Sequence, residues 1–467
     1  MISRARRRSL LATFLALLAL AISTHAQGTQ AQGDGARRGS RRQGSPQPNV
    51  VVILGDDFNW TDLGTVATPN LNALALSGMT FRRAYSFPVC STIFGRYPRR
   101  DGIGELVSFA PVDADNPTPA LELTSIAECL RGPRAWYQTG MFGKWHLGAN
   151  VYYDNREPDI GPYNLGALTP NLQGFSQWFG AVANLRDYFQ WERCENGVFT
   201  PSTEYATGAI EQAFERWWSS RTGPRFAYFA FHNAHAEYHA PPPEFLPPGY
   251  PTPSGRREEF EAMIASLDLL IGRMLALVDL RETYVIFLTD NGTPRGVSLE
   301  DCPPRPDELF NPFDCAKHTV FEPGVRMPMF VAGPGVVPGS ETQAVVSCVD
   351  IMATVCELAG VPVHGEDSVS FARTLREPSF SARRYAFTEI FGEFDQFNGI
   401  PGYKQESAAI GARYKLRRIN GAEMLYDLHA DPREADPLPL RDPAFAEVLA
   451  DPRAVLDDPL ERALQAP

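Results

Sequence analysis

Two rhythms of apolar side chains divide the chain. Unbroken runs rich in β-branched and aromatic residues recur at 49–54, 225–231, 284–288 and 327–331. Such runs predict strands buried on both faces. Between and after them lie stretches with apolar positions three and four apart, at 123–131, 205–219, 257–278 and 350–358, which predict helices. A further helix opens at Thr68-Pro69-Asn70, with Thr68 as N-cap, Pro69 in the first helical position and Leu71, Leu74 and Ala75 as its apolar face. Strands alternating with helices predict an α/β protein: a large mixed, mainly parallel sheet flanked by helices in doubly wound order. After about Ser379 the rhythm shortens to RRYAFTEIF, SAAIGARYKLRRI and AEMLYDL. These predict a small C-terminal antiparallel α+β subdomain with one long helix.

The ends of the chain read differently. Arg4, Arg6, Arg7 and Arg8 precede an apolar run over 10–22, and Thr24-His25-Ala26 offers small residues for cleavage. This predicts a signal peptide over 1–26, its apolar part too short to span a bilayer. Arg7-Arg8-Ser9-Leu10-Leu11 also resembles a twin-arginine export signal, hence a bacterial protein exported to the periplasm or beyond. Residues 27–48 are Gly, Gln, Ser and Arg with few apolar side chains, a disordered linker. The expected organisation is then a main domain over 49–375, the small subdomain over 376–440, and an acidic, proline-punctuated tail over 441–467, loosely helical or disordered. No other segment is a transmembrane candidate, so none remains after signal cleavage. The net charge of −12 over 467 residues argues against nucleic acid as a partner. It suits acidic metal sites, though a solvated acidic surface accounts for it equally. Seven cysteines in an exported chain leave one over; Cys302 with Cys315, Cys348 with Cys356, and Cys129 with Cys194 are candidate pairs, and Cys90 is the candidate for the remaining thiol.

Chemistry gathers just past the expected strands, where the loops of an open α/β sheet converge on a crevice. Asp56 and Asp57 follow the first strand directly; two adjacent buried acids repel and call for a cation, usually a hard divalent one with oxygen ligands. Asp290-Asn291-Gly292 ends another strand with more oxygen donors, although by itself such a triplet is a common turn. Lys144 and His146, two apart between glycines, share one face if extended. His232, His235 and His239 follow a third strand without the companion ligands of a zinc site. Lys317 precedes the fourth. Oxygen donors, two lysines and imidazoles together suit a tetrahedral oxyanion: cation and lysines for the negative oxygens, imidazoles for protons. No Gly-x-Ser-x-Gly elbow for acyl transfer is present.

These motifs, NVVVILGDD, ATPNLNALALSGMTFRRAYSFPVCS, GKWHLG, LTDNG, KHTVFEPGVRMP and VSCVDIMATVCELAGV, occur in an order that resembles the sulfatase family of the alkaline-phosphatase superfamily. The stretch GARYKLRRINGAEMLYDLHADPREADPL is similar to the family's small terminal domain. The resemblance implies an alkaline-phosphatase-like sheet and hydrolysis of a sulfuric ester of a carbohydrate or aryl alcohol. It implies one Ca2+ held by Asp56, Asp57, Asp290 and Asn291 together with residue 90. It implies that Cys90 is converted to formylglycine, the nucleophile, by a formylglycine-generating enzyme acting as a partner during maturation. Lys144 and His146 match the pair that contacts formylglycine, and His235 and Lys317 match the groups that bind the ester and assist the departing oxygen. The sulfated partner would be a small molecule or glycan.

The match departs from the family pattern after the nucleophile. Cys90-Ser91-Thr92-Ile93-Phe94-Gly95-Arg96 has threonine where proline is expected and phenylalanine where arginine is expected, and it is shorter. Arg96, Arg99 and Arg100 are the nearby candidates to replace that arginine. Two alternatives follow: an impaired sulfatase-like protein that binds sulfated glycans, and a phosphate or phosphonate ester hydrolase of the same superfamily. Trp191, Arg193, Tyr238, His239 and the run 391–397 are candidates for a sugar site, with packing as the simpler account.

Overall fold

The structure, a computed structural model, describes residues 47–87, 93–101, 123–132, 135–145, 147, 170–299, 316–363, 365–393 and 403–459. The expected signal peptide, nearly all of the expected linker, Cys90, His146, Cys302 and Cys315 lie outside them. Ten strands form the main sheet: β1 Asn49–Gly55, β2 Met79–Tyr85, β3 Gln138–Lys144, β4 Gln177–Ala181, β5 Trp191–Glu195, β6 Val198–Ser202, β7 Arg225–Ala230, β8 Thr283–Thr289, β9 Arg326–Ala332 and β10 Ser340–Ser347. Their order is β10-β2-β9-β8-β1-β7-β3-β4-β5-β6. The expected mixed α/β sheet is therefore present. Its centre, β8-β1-β7-β3-β4, is parallel throughout, whereas β9 runs against both β8 and β2.

Every residue of β1 is buried, because β1 lies mid-sheet with an apolar layer on each face. Val50, Val52 and Leu54 point into one cluster and Val51 and Ile53 into the other, the period-two alternation of a strand. One layer includes the helices Ala206–Ser219 and Arg256–Leu277, the other the helices Ile126–Arg131 and Asp350–Ala359.

Sequence and structure differ at the start of helix Pro69–Ser77. Thr68 occupies the N-cap position but makes no side-chain capping bond. The carboxylate of Asp268, nearly two hundred residues later, accepts from Asn70 N at 3.2 Å and Leu71 N at 2.8 Å instead. A charged acceptor satisfies two of the helix's open N–H groups where one hydroxyl would satisfy one.

The second sheet, β11 Ala386–Glu393, β12 Tyr403–Ile410, β13 Tyr414–Ile419 and β14 Ala422–Asp427, is antiparallel in sequential order. A helix over Ala446–Asp457 packs on β12 and β13 and buries Leu449, Val455 and Leu456, so this part of the tail is ordered. The small sheet is joined to the main one by buried ions. Lys415, fully buried, donates to Glu322 at 3.0 Å and lies 3.2 Å from Glu434, while Glu322 N donates to Glu434 at 2.6 Å.

The disulfide expectations change. Cys129, Cys194, Cys348 and Cys356 are thiols. Cys348 and Cys356 belong to one turn-and-helix segment, and Cys129 lies beside Cys356 rather than Cys194. Sequence spacing gives no access to that tertiary neighbour.

Glu211, on helix Ala206–Ser219, is buried, and burial pushes its carboxyl up to about 7. The unfolded chain releases this proton near 4.5, so the fold holds more protons than the unfolded state between those values, and stability falls as pH rises through that window. Glu211→Gln is expected to raise Tm by about 2–4 °C at pH 8 and to leave it unchanged at pH 4, read by thermal unfolding at both values.

Candidate active site

One edge of the main sheet collects the polar clusters, and strand direction explains why. The parallel strands β8, β1, β7 and β3 all end there. Because β9 is antiparallel to β8, its beginning, with Lys317 just upstream, reaches the same edge. The carboxyl end of β2 lies beside the start of β9, with Tyr85 opposite Arg326, so the chain leaves β2 toward residue 90 from that edge as well.

The backbone ladder continues past the strands into the site. Asp290 N donates to Gly55 O at 3.0 Å, Asp56 N to Asn233 O at 2.8 Å and Ala234 N to Asp56 O at 2.6 Å. Asp57 then turns to φ 66°, a left-handed conformation that costs a non-glycine residue about 1 kcal/mol or more. Its N–H donates to the Asp290 carboxylate at 3.2 Å. Carboxylate oxygens of Asp56, Asp57 and Asp290 lie within 4.8 Å of one another, all buried. Gly143 precedes Lys144 at φ 104°, where a side chain would strike the Ala230 carbonyl. β3 therefore approaches β7 closely as it delivers the lysine.

Two ammonium groups enter this acidic cluster. Lys144, 7% exposed, donates to Asp56 Oδ2 at 2.6 Å. Lys317 donates to Asp57 Oδ1, which also accepts from Asn291 Nδ2 at 2.7 Å. Burial would raise the Asp57 carboxyl, but Lys317, His235 and Lys144 together hold it well below the usual carboxylate range. At Asp290 the balance falls the other way: burial, with the Asp56 charge adding to it, pushes its carboxyl up to about 8 against the opposing charges of Lys144 and Lys317. Lys317 stays charged above its ordinary range, since Asp57 and Asp56 outweigh the burial that opposes them.

Among the described residues, His235 is the imidazole brought to the cluster, with Nε2 3.8 Å from Asp57 Oδ2. Its Nδ1 lies 2.7 Å from Ala236 O. A carbonyl only accepts, so Nδ1 carries the proton of the neutral ring and Nε2 faces the acids. Burial lowers the ring's affinity for a second proton, with Asp57 and then Asp56 opposing. His232 is turned elsewhere, Nε2 3.3 Å from Ala183 O, and burial pushes it down to about 3. His239 makes its contacts with Glu237 O and Tyr205 Oη. The three histidines thus do not converge, as the missing zinc ligands in the sequence imply.

Sequence reasoning missed Tyr188. Its buried hydroxyl lies 2.7 Å from His232 O and 2.9 Å from His235 O and so ties down the loop that carries His235. No motif surrounds it, and only its fold neighbours reveal it. Trp191 is buried and donates to Glu204 O, a packing role.

The replacement arginines are engaged elsewhere. Arg96 pairs with Glu366 at 3.1 Å, Arg99 with Glu389 at 2.7 Å and Arg100 with Asp367 at 2.7 Å. Phe94, at the position where arginine was expected, is 5% exposed and belongs to the apolar core.

A divalent cation fits the donors present. Asp56 Oδ1 is buried with no hydrogen-bond partner, three carboxylates crowd one point, and every ligand offered by Asp56, Asp57, Asp290 and Asn291 can be oxygen, the donor set of a hard ion. Among the described residues, this is the only group of acids, histidines or cysteines that converges so.

The cluster of oxygen donors and lysines thus sits at the carboxyl edge of a mixed sheet of the alkaline-phosphatase-like fold class. The chain belongs to the sulfatase family: the model of the family described as Sulfatase matches residues 48–361, and that of the N-sulphoglucosamine sulphohydrolase C-terminal region matches residues 311–459. It is 29% identical to N-acetylgalactosamine-6-sulfatase of Canis lupus familiaris over 362 residues, which cover 68% of this chain and 63% of that one. It is 30% identical to arylsulfatase A of Homo sapiens over 364 residues, 68% of this chain and 65% of that one. The chain thus spans less than two thirds of the length of these relatives. Its fold is similar to the crystal structure of Ps i-CgsB in complex with k-i-k-neocarrahexaose, with a TM-score of 0.72, 19% identity, and coverage of 89% of this chain and 93% of that one. No helix among the described residues is long and apolar enough to cross a membrane.

A chelator is expected to lower Tm, and a divalent cation at about a hundred times its Kd to restore it, a difference of about 3 kcal/mol in stability. Asp290→Asn should abolish that response in a thermal-shift titration. Its metal-free form should be at least as stable as the metal-free native chain, because one of three mutually repelling acids is gone.

Proposed function

We propose that the chain is a sulfuric ester hydrolase acting on a sulfate ester of a carbohydrate or aryl alcohol, with one Ca2+ and a formylglycine made from Cys90 by a formylglycine-generating enzyme. The observation that carries this reading is the buried trio Asp56, Asp57 and Asp290, with oxygens within 4.8 Å, flanked by Lys144 and Lys317. With only two lysines present, the third acid, Asp290, is accommodated by being pushed up to about 8, and a bound cation would take the place of that proton, which fits a cation plus an anionic ester better than a self-sufficient structural ion network. The names of the relatives, N-acetylgalactosamine-6-sulfatase and arylsulfatase A, support both substrate classes. Export to the periplasm or beyond, and entry of the ester from that compartment, belong to the same reading.

Asp56, Asp57, Asp290 and Asn291 would hold the ion, which when bound supplies positive charge for the ester oxygens. A formylglycine at residue 90, when present, supplies a gem-diol oxygen as nucleophile toward sulfur. The protein's own groups do the rest. Lys144 and Lys317, charged and stripped of water, offer N–H donors to negative oxygens at a point where the low dielectric strengthens each contact. Lys144 and Lys317, held at Asp56 and Asp57, would be the ammonium groups within reach of an ester bound at that point. His235 presents Nε2 to the same space, with Nδ1 held by Ala236 O, and so holds or returns a proton at the departing alcohol oxygen. His146 is proposed for the matching proton movement at residue 90.

A second reading, a sulfated-glycan binder that does not turn over, is favoured by one observation: Phe94 is buried in the core, and Arg96, Arg99 and Arg100 are each committed to a carboxylate.

Both are decided together. Protein from an exporting host should show an aldehyde at residue 90 in peptide mass analysis, and should hydrolyse 4-nitrophenyl sulfate faster than 4-nitrophenyl phosphate, with loss of activity in chelator. His235→Ala and Lys317→Ala should each lower kcat/KM by about 10²–10⁴-fold. Unmodified cysteine at 90 without hydrolysis, but with retention on a sulfated glycan column, overturns the first reading in favour of the second. A preference for the phosphate ester would make the chain a phosphoester hydrolase.

A further inference from the structure

Two thiols outside the active site touch. Cys129 lies on helix Ile126–Arg131, half-buried, and Cys356 on helix Asp350–Ala359, fully buried. The two helices pack on one another, and the residues join the same apolar cluster although they stand more than two hundred positions apart. Their sulfurs are in hydrogen-bond contact, with the Cys356 S–H as donor. Neither thiol takes part in the chemistry described above. Cys194 and Cys348 are thiols too, on strand β5 and at the turn before helix Asp350–Ala359.

The two helices hold between them the segment that leads out of residue 90. Ile126 N donates to Ile93 O at 3.1 Å from one side. From the other, Gly95 lies against Met352 so closely that a Cβ there would be 2.9 Å from its sulfur. Asp367 N donates to Gly95 O at 3.0 Å, and Arg383, bound to Asp350, donates to Tyr97 Oη at 2.8 Å.

We infer that Cys129 and Cys356 are a disulfide-forming pair, and that under oxidising conditions their bond clamps the two helices around residues 93–101. The acceptor of electrons is a low-molecular-weight or protein disulfide, such as oxidised glutathione. Cys129 as thiolate attacks one of its sulfurs, forming a mixed disulfide and releasing one thiol. Cys356 gives up its proton and attacks the Cys129 sulfur, and the second thiol leaves. Two S–H bonds are lost and one S–S bond forms, and two electrons and two protons pass to the oxidant. The order follows from access, Cys129 being the more exposed, and the hydrogen bond from Cys356 holds the Cys129 thiol below its ordinary range.

The test uses the purified full chain, incubated with oxidised glutathione, denatured, blocked with iodoacetamide without reductant and digested. The expected result is a peptide pair joining Cys129 to Cys356, with Cys194 and Cys348 alkylated. It is accompanied by a rise in Tm of about 5 °C that dithiothreitol reverses, since the bond closes a very long loop. Cys356→Ser should give a glutathione adduct at Cys129 and no rise in Tm; Cys129→Ala should give neither, which keeps the comparison open if one variant folds poorly. Alkylation of both cysteines in the native chain, or a glutathione adduct at Cys129 that is never resolved, overturns the inference. This outcome is independent of whether the chain hydrolyses an ester.

Discussion

Like charges confined in a dry place are the constraint on which the active edge depends. Asp56, Asp57 and Asp290 are brought together by the main-chain ladder of a parallel sheet, and none can retreat to water. Their mutual repulsion is met unequally. Asp57, with Lys317, Asn291 and a neighbouring imidazole, stays well below the usual carboxylate range, while burial and the Asp56 charge push Asp290 up to about 8. Three carboxylates and two ammonium groups thus converge on one point, and the left-handed turn at Asp57 lies where its carboxylate joins them.

The reversed strand β9 is the architectural device that completes this edge. A wholly parallel sheet would bring β9 in with its carboxyl end beside that of β8, and the preceding segment would start on the far side. Reversal places Lys317 against Asp57. The same strand, lying between β8 and β2, brings the end of β2 alongside, so the chain heading for residue 90 begins within the same neighbourhood. The small sheet supports both: Thr388 donates to Ser86 O at 2.9 Å, a few residues before position 90, and Glu406 accepts from Val320 N beside the lysine segment.

Much of this was legible in the sequence where a local rule governs. A buried strand followed directly by acids identified Asp56 and Asp57, and the strand ends at Asp290 and Lys144 followed the same logic. Lys317 was legible as a motif, but its route to the site needed the direction of β9, which periodicity does not report. Features created by tertiary proximity were beyond reach. Asp268 displaced Thr68 as the cap of a distant helix because a carboxylate on the packed helix Arg256–Leu277 offers a better acceptor. Cys129 met Cys356 because two helices pack, against the pairings that spacing favoured. Tyr188 holds the His235 loop through backbone carbonyls, a role with no residue pattern. The candidate arginines after Cys90 illustrate the converse: proximity in sequence offered them, and acidic partners on other elements had already engaged them.

The buried Lys415 on β13 has a consequence for how the molecule can be divided. One ammonium pairs with two interior acids, Glu322 and Glu434, and Glu322 heads the short helix that follows Lys317. A fragment ending before β13 would strip buried Glu322 of Lys415, so the loss would be felt beside the Lys317 segment and not only at the severed surface. The carboxyl-terminal sheet is therefore part of what holds the Lys317 segment in place, and the larger sheet is not independent of it.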